Sequence, residues 1–560
     1  MMANYFLETQ SHEWILSNKS GAYALGTGNL VPQRKYSSLL TKSDAQFKRF
    51  NLVASLEEMV EWRSNTFFLD SNHYSNCIYP EGFLHLVKSW LRPYPVFLFS
   101  SVPHNDDVLI KKSIMMDDES NSVLIKYQNL SMGKLKFKVR PKYALRNHHF
   151  LNHAGAWDNH DLAFEINQSN GYEVAKVIRL SSELECYAWL KTGDIHQEFL
   201  VYRNQYYPRE ATRGYPATED LVTAFYYNFT LQPNESTYLI FSDSPIVQPE
   251  QLIAQIEKRY ECYPTPKDIP QERKLETKIM LDEEQEYSIM NSLDFDDNIM
   301  FEGEDYKKIL ELSLKDFMAN NDIIAGFPWF GAWGRDTMIV LESIIKMPKG
   351  AEYAWEVLKK YSDQRQNGLL PNMLNESGQT GNYDSIDASL WFIIRLYETL
   401  ETLNKKGATR QKIANWKKAI VITEETLEKI LFSEHENFYI RADGLIHLNH
   451  NFASATWMDA KVDGKPVTPR DGSPVEINAL LYNALVYYVM MIEKYNEIAP
   501  DSKFIFLNDT FIEKRELIKA SFAKFWIGDY LADRLYHDEV IAEYRPNAII
   551  AASLPFTPLS

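Results

Sequence analysis

The hydrophobic period of this chain changes once, near residue 265, and that change limits what it can fold into. Before it, short segments alternate apolar and polar residues. KLKFKVR (134–140) alternates without a break, and SVLIKYQNL, TAFYYNFTL and STYLIFSD are rich in β-branched and aromatic residues. Turn clusters such as NLSMGK separate them. A period of two between turn signals predicts an antiparallel β-sandwich over residues 1–265. Residues 266–302 read as a linker, which the Pro-rich YPTPKDIPQERK enters from residue 263 and which holds an acidic stretch ending in LDFDDN. From 303 to 560 the period is helical. In EDYKKILELSLKDFMAN, Tyr306, Leu310, Leu314 and Phe317 fall on one predicted helix face. Further helical runs cover about 337–347, 351–363, 385–403, 408–432, 474–497 and 509–526. Serial helical hairpins joined by polar loops predict an all-α toroid or barrel.

Composition narrows the function. The net charge is −17, which argues against nucleic acid or an anionic membrane surface as partner, because both require a basic footprint. A neutral polymer stays open. Aromatic residues make up 13% of the chain, an excess that suits stacking against ligand rings. Cys77, Cys186 and Cys262 are too sparse for a disulfide framework and lack metal-site spacing. They fit a reducing compartment, so a cytoplasmic location is expected. The opening residues MMANYFLETQSHEW show no signal-peptide pattern. The apolar run 477–492 is short for a membrane span and holds two Asn; it reads as a buried helix.

Chemistry-bearing residues gather where loops meet predicted helices, the usual place for a scaffold to display reactive groups. FPWFGAWGRDTMIVL (327–341) sets Trp329, Phe330 and Trp333 beside Arg335 and Asp336. Asp336 reads either as an N-cap, or, with Arg335, as a clamp that donates to and accepts from sugar hydroxyls. The tryptophans then face the apolar side of a ring. In 367–393 a Gly-rich loop runs into a helix whose first turn carries Asp387. That carboxyl reads either as dipole complement or as an acid that protonates a leaving oxygen. The stretch 453–485 collects Trp457, Asp459, Arg470, Asp471 and Glu476 ahead of a long apolar helix. Arg545-Pro-Asn, in EYRPNAIIAASLPFTPLS, reads as a helix-entry turn. Nucleotide, zinc-protease and serine-hydrolase motifs are absent, and the His pair in HLNHN is too isolated for a metal site.

FPWFGAWGRDTMI, GLLPN with YDSIDASLW, TWMDAKV, TPRDGSPVEINAL and EYRPN occur in that order. Together they resemble the amylo-α-1,6-glucosidase region of compact bacterial and archaeal glycogen debranching enzymes. EWILSNKSGAYALGTGNLVPQRKYSSLL (13–40) and YYPREATRGYPATEDL (206–221) resemble that family's N-terminal half. The resemblance implies a β-sandwich followed by an (α/α)6 barrel. It implies inverting hydrolysis of the single α-1,6-linked glucose at a trimmed branch point of glycogen. Asp387 matches the general acid, which needs a raised pKa to stay protonated. Arg335 and Asp336 match the pair that holds the terminal glucose. Trp329, Trp333, Trp457, Asp459, Arg470 and Glu476 are expected to line the pocket.

Two departures stand out. Ala332 occupies a position where many relatives carry an acid. The family's Tyr-His-Gln-Gly string, near its general base, is not found here, so the expectation is either a truncated chain or an incomplete barrel. An inverting enzyme needs its second carboxylate about 6.5–9.5 Å from the acid. Glu476, then Asp471 and Glu543, are the stand-ins within the chain. No metal or organic cofactor is expected, since two carboxylates suffice. Two other readings stay open: a related exo-glycosidase of glucoamylase or trehalase type, and a glucan-binding protein without catalysis.

Overall fold

A computed structural model describes residues 12–101, 108–157, 161–266, 302–373, 382–383, 385–404, 409–450, 455–502, 509–537 and 539–559. Most of the 266–302 linker, and parts of the loops before Asp387 and Trp457, lie outside the described residues. The chain divides into two compact units, Met1–Asn320 and Asn321–Ser560.

The first unit is built on two antiparallel sheets. One runs, edge to edge, through Glu13–Ser17, Tyr23–Thr27, Ser38–Ser43, Arg49–Trp62, Leu135–Asn147, Thr218–Leu231 and Asp194–Tyr206, with Asn65–Phe68 paired to Arg49–Trp62. The other runs through Leu162–Ser169, Tyr172–Arg179, Leu184–Leu190, Ser236–Ser242, Ser122–Asn129, Leu109–Met116, Val96–Ser100 and Leu86–Trp90. The alternation in KLKFKVR has the consequence its period dictates. Leu135, Phe137 and Val139 point into the core, while Lys136 points outward to Glu61, its cross-strand partner. Phe137 stacks on Phe229 across the neighbouring strand pair at 4.8 Å. One core receives side chains from both sheets, among them Val60, Phe137 and Phe225 from the first and Ile114, Ile125 and Phe241 from the second.

The two N-terminal strings meet in this unit. Arg34 and Arg209 both ion-pair with Glu13, at 2.8 and 2.9 Å, and the Arg209 N–H donates to the Gln33 carbonyl. Gly26 is required by packing: a Cβ there would lie 2.5 Å from the Trp14 ring.

Two expectations change. The helix Gly303–Lys315 buries Ile309 and Leu312, while Leu310 is half exposed. The apolar stripe is therefore rotated from the one drawn through Tyr306, Leu310, Leu314 and Phe317. Residues 303–320, read as the start of the helical region, fall in the sheet unit. Polar contacts hold them there. Asp316 faces Arg92 and Arg259, and the Asn320 side-chain amide donates to the carbonyls of Ser20 and Asp44.

In the second unit the described helices are Gly334–Ile345, Gly350–Ser362, Asp387–Asn404, Arg410–Phe432, Val475–Ile498, Asp509–Phe522 and the short Asn547–Ser553. Chain neighbours pack together, and Val475–Ile498 sits centrally, touching Asp387–Asn404, Arg410–Phe432, Asp509–Phe522 and Asn547–Ser553. That helix is long and apolar enough to cross a membrane by length and composition. It lies within a residue of the expected 474–497 run at each end, and packing within this unit buries most of it.

Candidate active site

Three sequence stretches converge on the Arg335 guanidinium. The helix Gly334–Ile345 begins one residue before it, so Asp336 is in the first turn and Trp333, not Asp336, holds the N-cap position. GLLPN lies alongside. The Gly334 N–H donates to the Asn372 carbonyl at 2.8 Å, and the Arg335 N–H donates to Asn372 Oδ1 at 3.3 Å. Below the helix start, buried Asp322 accepts from Thr337, Tyr361 and Lys360, which fixes the first turn from its inner side. A Cβ on Gly334 would sit 2.3 Å from the Pro371 carbonyl oxygen, a backbone atom that cannot swing aside. Gly334→Ala is expected to cost about 1–3 kcal/mol, read as a lowered urea midpoint, and to displace Arg335.

Arg335, with 6% of its surface exposed, fans its three nitrogens over two other loops. Nε donates to Asp387 Oδ2 at 2.7 Å, Nη1 to Asp459 Oδ2 at 2.6 Å and Nη2 to Ser385 Oγ at 3.2 Å. Burial opposes its charge, but Asp387 and Asp459 outweigh that and raise its pKa further. Asp387 is the first residue of its helix and is almost wholly buried. Its Oδ1 accepts from Ser385 Oγ at 2.5 Å and from the Ala388 N–H at 2.9 Å. The third stretch is tied to the second through backbone, since the Ile386 N–H donates to the Ala455 carbonyl at 3.1 Å.

Asp336 is half-buried beside this group. Burial pushes its carboxyl up, Arg335 pulls against it, and Asp459 and Asp387 add to the rise. Among the described residues no side chain hydrogen-bonds to it. Trp333 is half-buried and meets Phe330 edge-on at 5.8 Å. Trp329 is half-buried on the same loop, and Ala332 is buried. Trp457 is 41% exposed. Asp387, Arg335 and Asp459 are thus in direct contact, with Asp336 adjoining.

Arg470 and Glu476 form a second centre. Arg470 is fully buried; its Nη2 donates to both Glu476 oxygens at 2.7 and 2.6 Å, and its Nη1 donates to Asp533. Glu476 was the base candidate by sequence. It has 2% of its surface exposed, and both its oxygens accept from Arg470. Asp471 is tied to Arg534 and His450, and Glu543 is exposed and paired with Arg545. Burial pushes the Glu476 carboxyl from an ordinary value of 4.5 to about 7, against the pull of Arg470. Between those values the folded chain holds a proton that the unfolded chain has released. The stability from this group is full below about 4.5 and declines as pH rises through about 7. Glu476→Gln is expected to flatten the pH dependence of thermal stability across that window, measured by calorimetry.

Sequence reasoning missed Asp533, Asn547, Ser385 and Asp322. Asp533 sits in LADRLYHDEV, which carries no motif. Asn547 was visible in EYRPN, where its only expected part was in a turn. It begins the helix Asn547–Ser553 and also links Asp533 to Trp457, with its amide nitrogen donating to Asp533 Oδ1 and its oxygen accepting from the indole N–H.

A two-unit chain that joins paired β-sheets to a helical unit bearing an Arg-carboxylate-Trp site is matched by two family models. The amylo-alpha-1,6-glucosidase model matches residues 308–560, and the glycogen debranching enzyme N-terminal model matches residues 12–238. Between them they span most of the chain, and the chain belongs to the glycogen debranching family. The glycogen debranching enzyme of Saccharomyces cerevisiae (strain ATCC 204508 / S288c) is 25% identical over 224 residues, 30% of this chain. That match takes in 14% of the yeast protein's length. Among solved structures, a protein assigned as a kojibiose phosphorylase from the human microbiome is similar at a TM-score of 0.39 and 9% identity, over 92% of this chain and 68% of that one. The gh92 family glycosyl hydrolase ccman5 is similar at a TM-score of 0.30 and 9% identity, over 92% of this chain and 63% of that one. At those scores the two likenesses say nothing further about the site.

Proposed function

We propose that this chain is a glycoside hydrolase that removes α-1,6-linked glucose at the branch points of glycogen or a limit dextrin, with inversion. The observation that supports it best is the meeting of Arg335, Asp387 and Asp459, drawn from three separate strings, beside half-buried Trp333 and Asp336. A terminal glucose needs donors and acceptors at its hydroxyls and an apolar face beneath its C–H bonds. Arg335, Asp336 and Asp459 supply the first; Trp329, Trp333 and Trp457 supply the second.

Asp387 is the proposed acid. Three donors surround its carboxyl, from Arg335 Nε, Ser385 Oγ and the Ala388 backbone N–H, and Arg335 Nη2 in turn donates to Ser385 Oγ. Proton delivery to the leaving oxygen then requires one carboxyl oxygen to exchange a protein donor for the glycosidic oxygen on substrate arrival. Glu476 is assigned the part of counter-ion to Arg470. The helical unit is proposed as an (α/α)6-type toroid, supported by its serially packed helices, and a cytoplasmic location accords with the free thiols of Cys77, Cys186 and Cys262.

The test is glucose release from a phosphorylase limit dextrin trimmed to single-glucose stubs, beside linear maltooligosaccharides. Release from the dextrin alone supports debranching. Release from the linear chains alone favours the exo-glycosidase reading. Affinity for glycogen without release from either favours binding without catalysis.

A further inference from the structure

Trp457 presents an unusual combination: the residue is 41% exposed, yet its N–H is bound by a wholly buried amide rather than left to solvent. The indole Nε1 donates to Asn547 Oδ1 at 2.7 Å. The other end of the same amide donates to Asp533 Oδ1 at 2.7 Å. Both partners fix which end of the amide is which. An indole nitrogen only donates, and an ionised carboxylate only accepts. Asn547 therefore has one orientation, and it transmits that orientation to the tryptophan.

Its own seat is rigid. Asp533 is held by Arg470, whose other nitrogen grips Glu476 in the first turn of Val475–Ile498. The segment that carries Asn547 is sewn to that same helix further along. Asn483 donates to the Phe556 carbonyl at 2.7 Å and accepts from the Phe556 N–H at 3.1 Å. The loop that carries Trp457 is thus clamped twice, at Trp457 by Asn547 and at Asp459 by Arg335.

We propose that Asn547 is a positioning residue which holds the Trp457 indole edge so that its exposed face stacks against a pyranose ring of the glucan. The proposal rests on the reading of this site as a glucan site. A surface tryptophan free to rotate loses rotamer freedom when a sugar docks on it; one already fixed at its N–H does not. The buried Arg470–Glu476–Asp533 centre then has a purpose at the surface, as the base from which the ring is aimed.

The test uses the full chain and two probes: glycogen in affinity electrophoresis and phosphorylase limit dextrin in steady-state kinetics. Asn547→Leu is expected to weaken glycogen retention and raise KM about tenfold, with kcat changed much less. In a Trp457→Ala background the same substitution is expected to add nothing to KM, because the ring it orients is gone. A merely structural role predicts the opposite, with equal effects in both backgrounds and losses in kcat that follow lowered stability. Should Asn547→Leu not fold, Asn547→Ser, which keeps a donor toward Asp533 and removes the indole's acceptor, carries the same comparison. Unchanged KM and retention in a folded variant, or additive effects with Trp457→Ala, overturn the proposal while leaving the glucan site standing. A wild-type chain that neither retains on glycogen nor releases glucose overturns both.

Discussion

Asp387→Asn is expected to lower glucose release from a phosphorylase limit dextrin on the order of 10²–10⁴-fold, while glycogen retention falls far less. The substitution keeps the size of the side chain and an oxygen able to accept from Ser385 Oγ and the Ala388 N–H. What it removes is the acidic proton and the charge that faces Arg335 Nε. The second loss has a separate signature. Arg335 keeps Asp459 at 2.6 Å, so the guanidinium retains one counter-charge and the three strings stay joined. A drop in rate caused only by a disturbed Arg335 would also appear as lost affinity, since that group is proposed to hold the terminal sugar. A large fall in kcat with near-normal retention and near-normal melting temperature assigns the proton to Asp387. Rates within a factor of two of the unaltered chain would remove it from the mechanism.

Arg470→Met is expected to be the most destabilising single substitution in the helical unit. It strands two carboxylates, Glu476 and Asp533, whose exposed fractions are 2% and 1%. Removing one partner of a buried ion pair costs about 3–5 kcal/mol, because the charge left behind has neither water nor counter-ion. Here one guanidinium serves both acids, and Arg545 approaches Asp533 only to 3.6 Å. The pH dependence has a definite sign. Without Arg470 the pull that opposes burial at Glu476 is gone, so that carboxyl is raised further in the folded chain. The deficit is therefore smallest at low pH and grows as pH rises through the folded value of Glu476. Adding Glu476→Gln and Asp533→Asn to Arg470→Met is expected to recover much of the loss, since a charge cluster removed as a whole is often neutral. Urea unfolding at pH 5 and pH 8 measures each step. An Arg470→Met chain within 1 kcal/mol of the parent at pH 8, a limit set by the size of a typical surface ion pair, would show that the two acids are solvated after all.

Much of this is legible in the sequence. Strands such as Leu135–Asn147 follow from strict alternation, because the pleat sends successive side chains to opposite faces. Helix limits were close as well: 385–403 was expected and Asp387–Asn404 is observed. The stripe on Gly303–Lys315 was misplaced because two apolar sets, offset by about 100° on a helix wheel, compete there, and only the neighbouring surface chooses between them. Asp336 was read as a possible N-cap because nothing local shows that Asn372 lies along Gly334 and Arg335 and lets the helix begin earlier.

By itself the sequence determined the division into sheet and helix, the strings that carry the site's charges and rings, and the family to which the chain belongs. Only the tertiary structure decided which charges meet. Arg335 lies 52 positions from Asp387 and 124 from Asp459. Asn547 lies 90 positions from the Trp457 ring it holds. Periodicity is a property of residues a turn or two apart, and it has no reach across such separations. A buried charge, by contrast, is stable only beside its opposite. That requirement, met by packing and invisible in any window of the chain, placed Glu476 on Arg470 and gave Asn547 a part that its turn alone did not suggest.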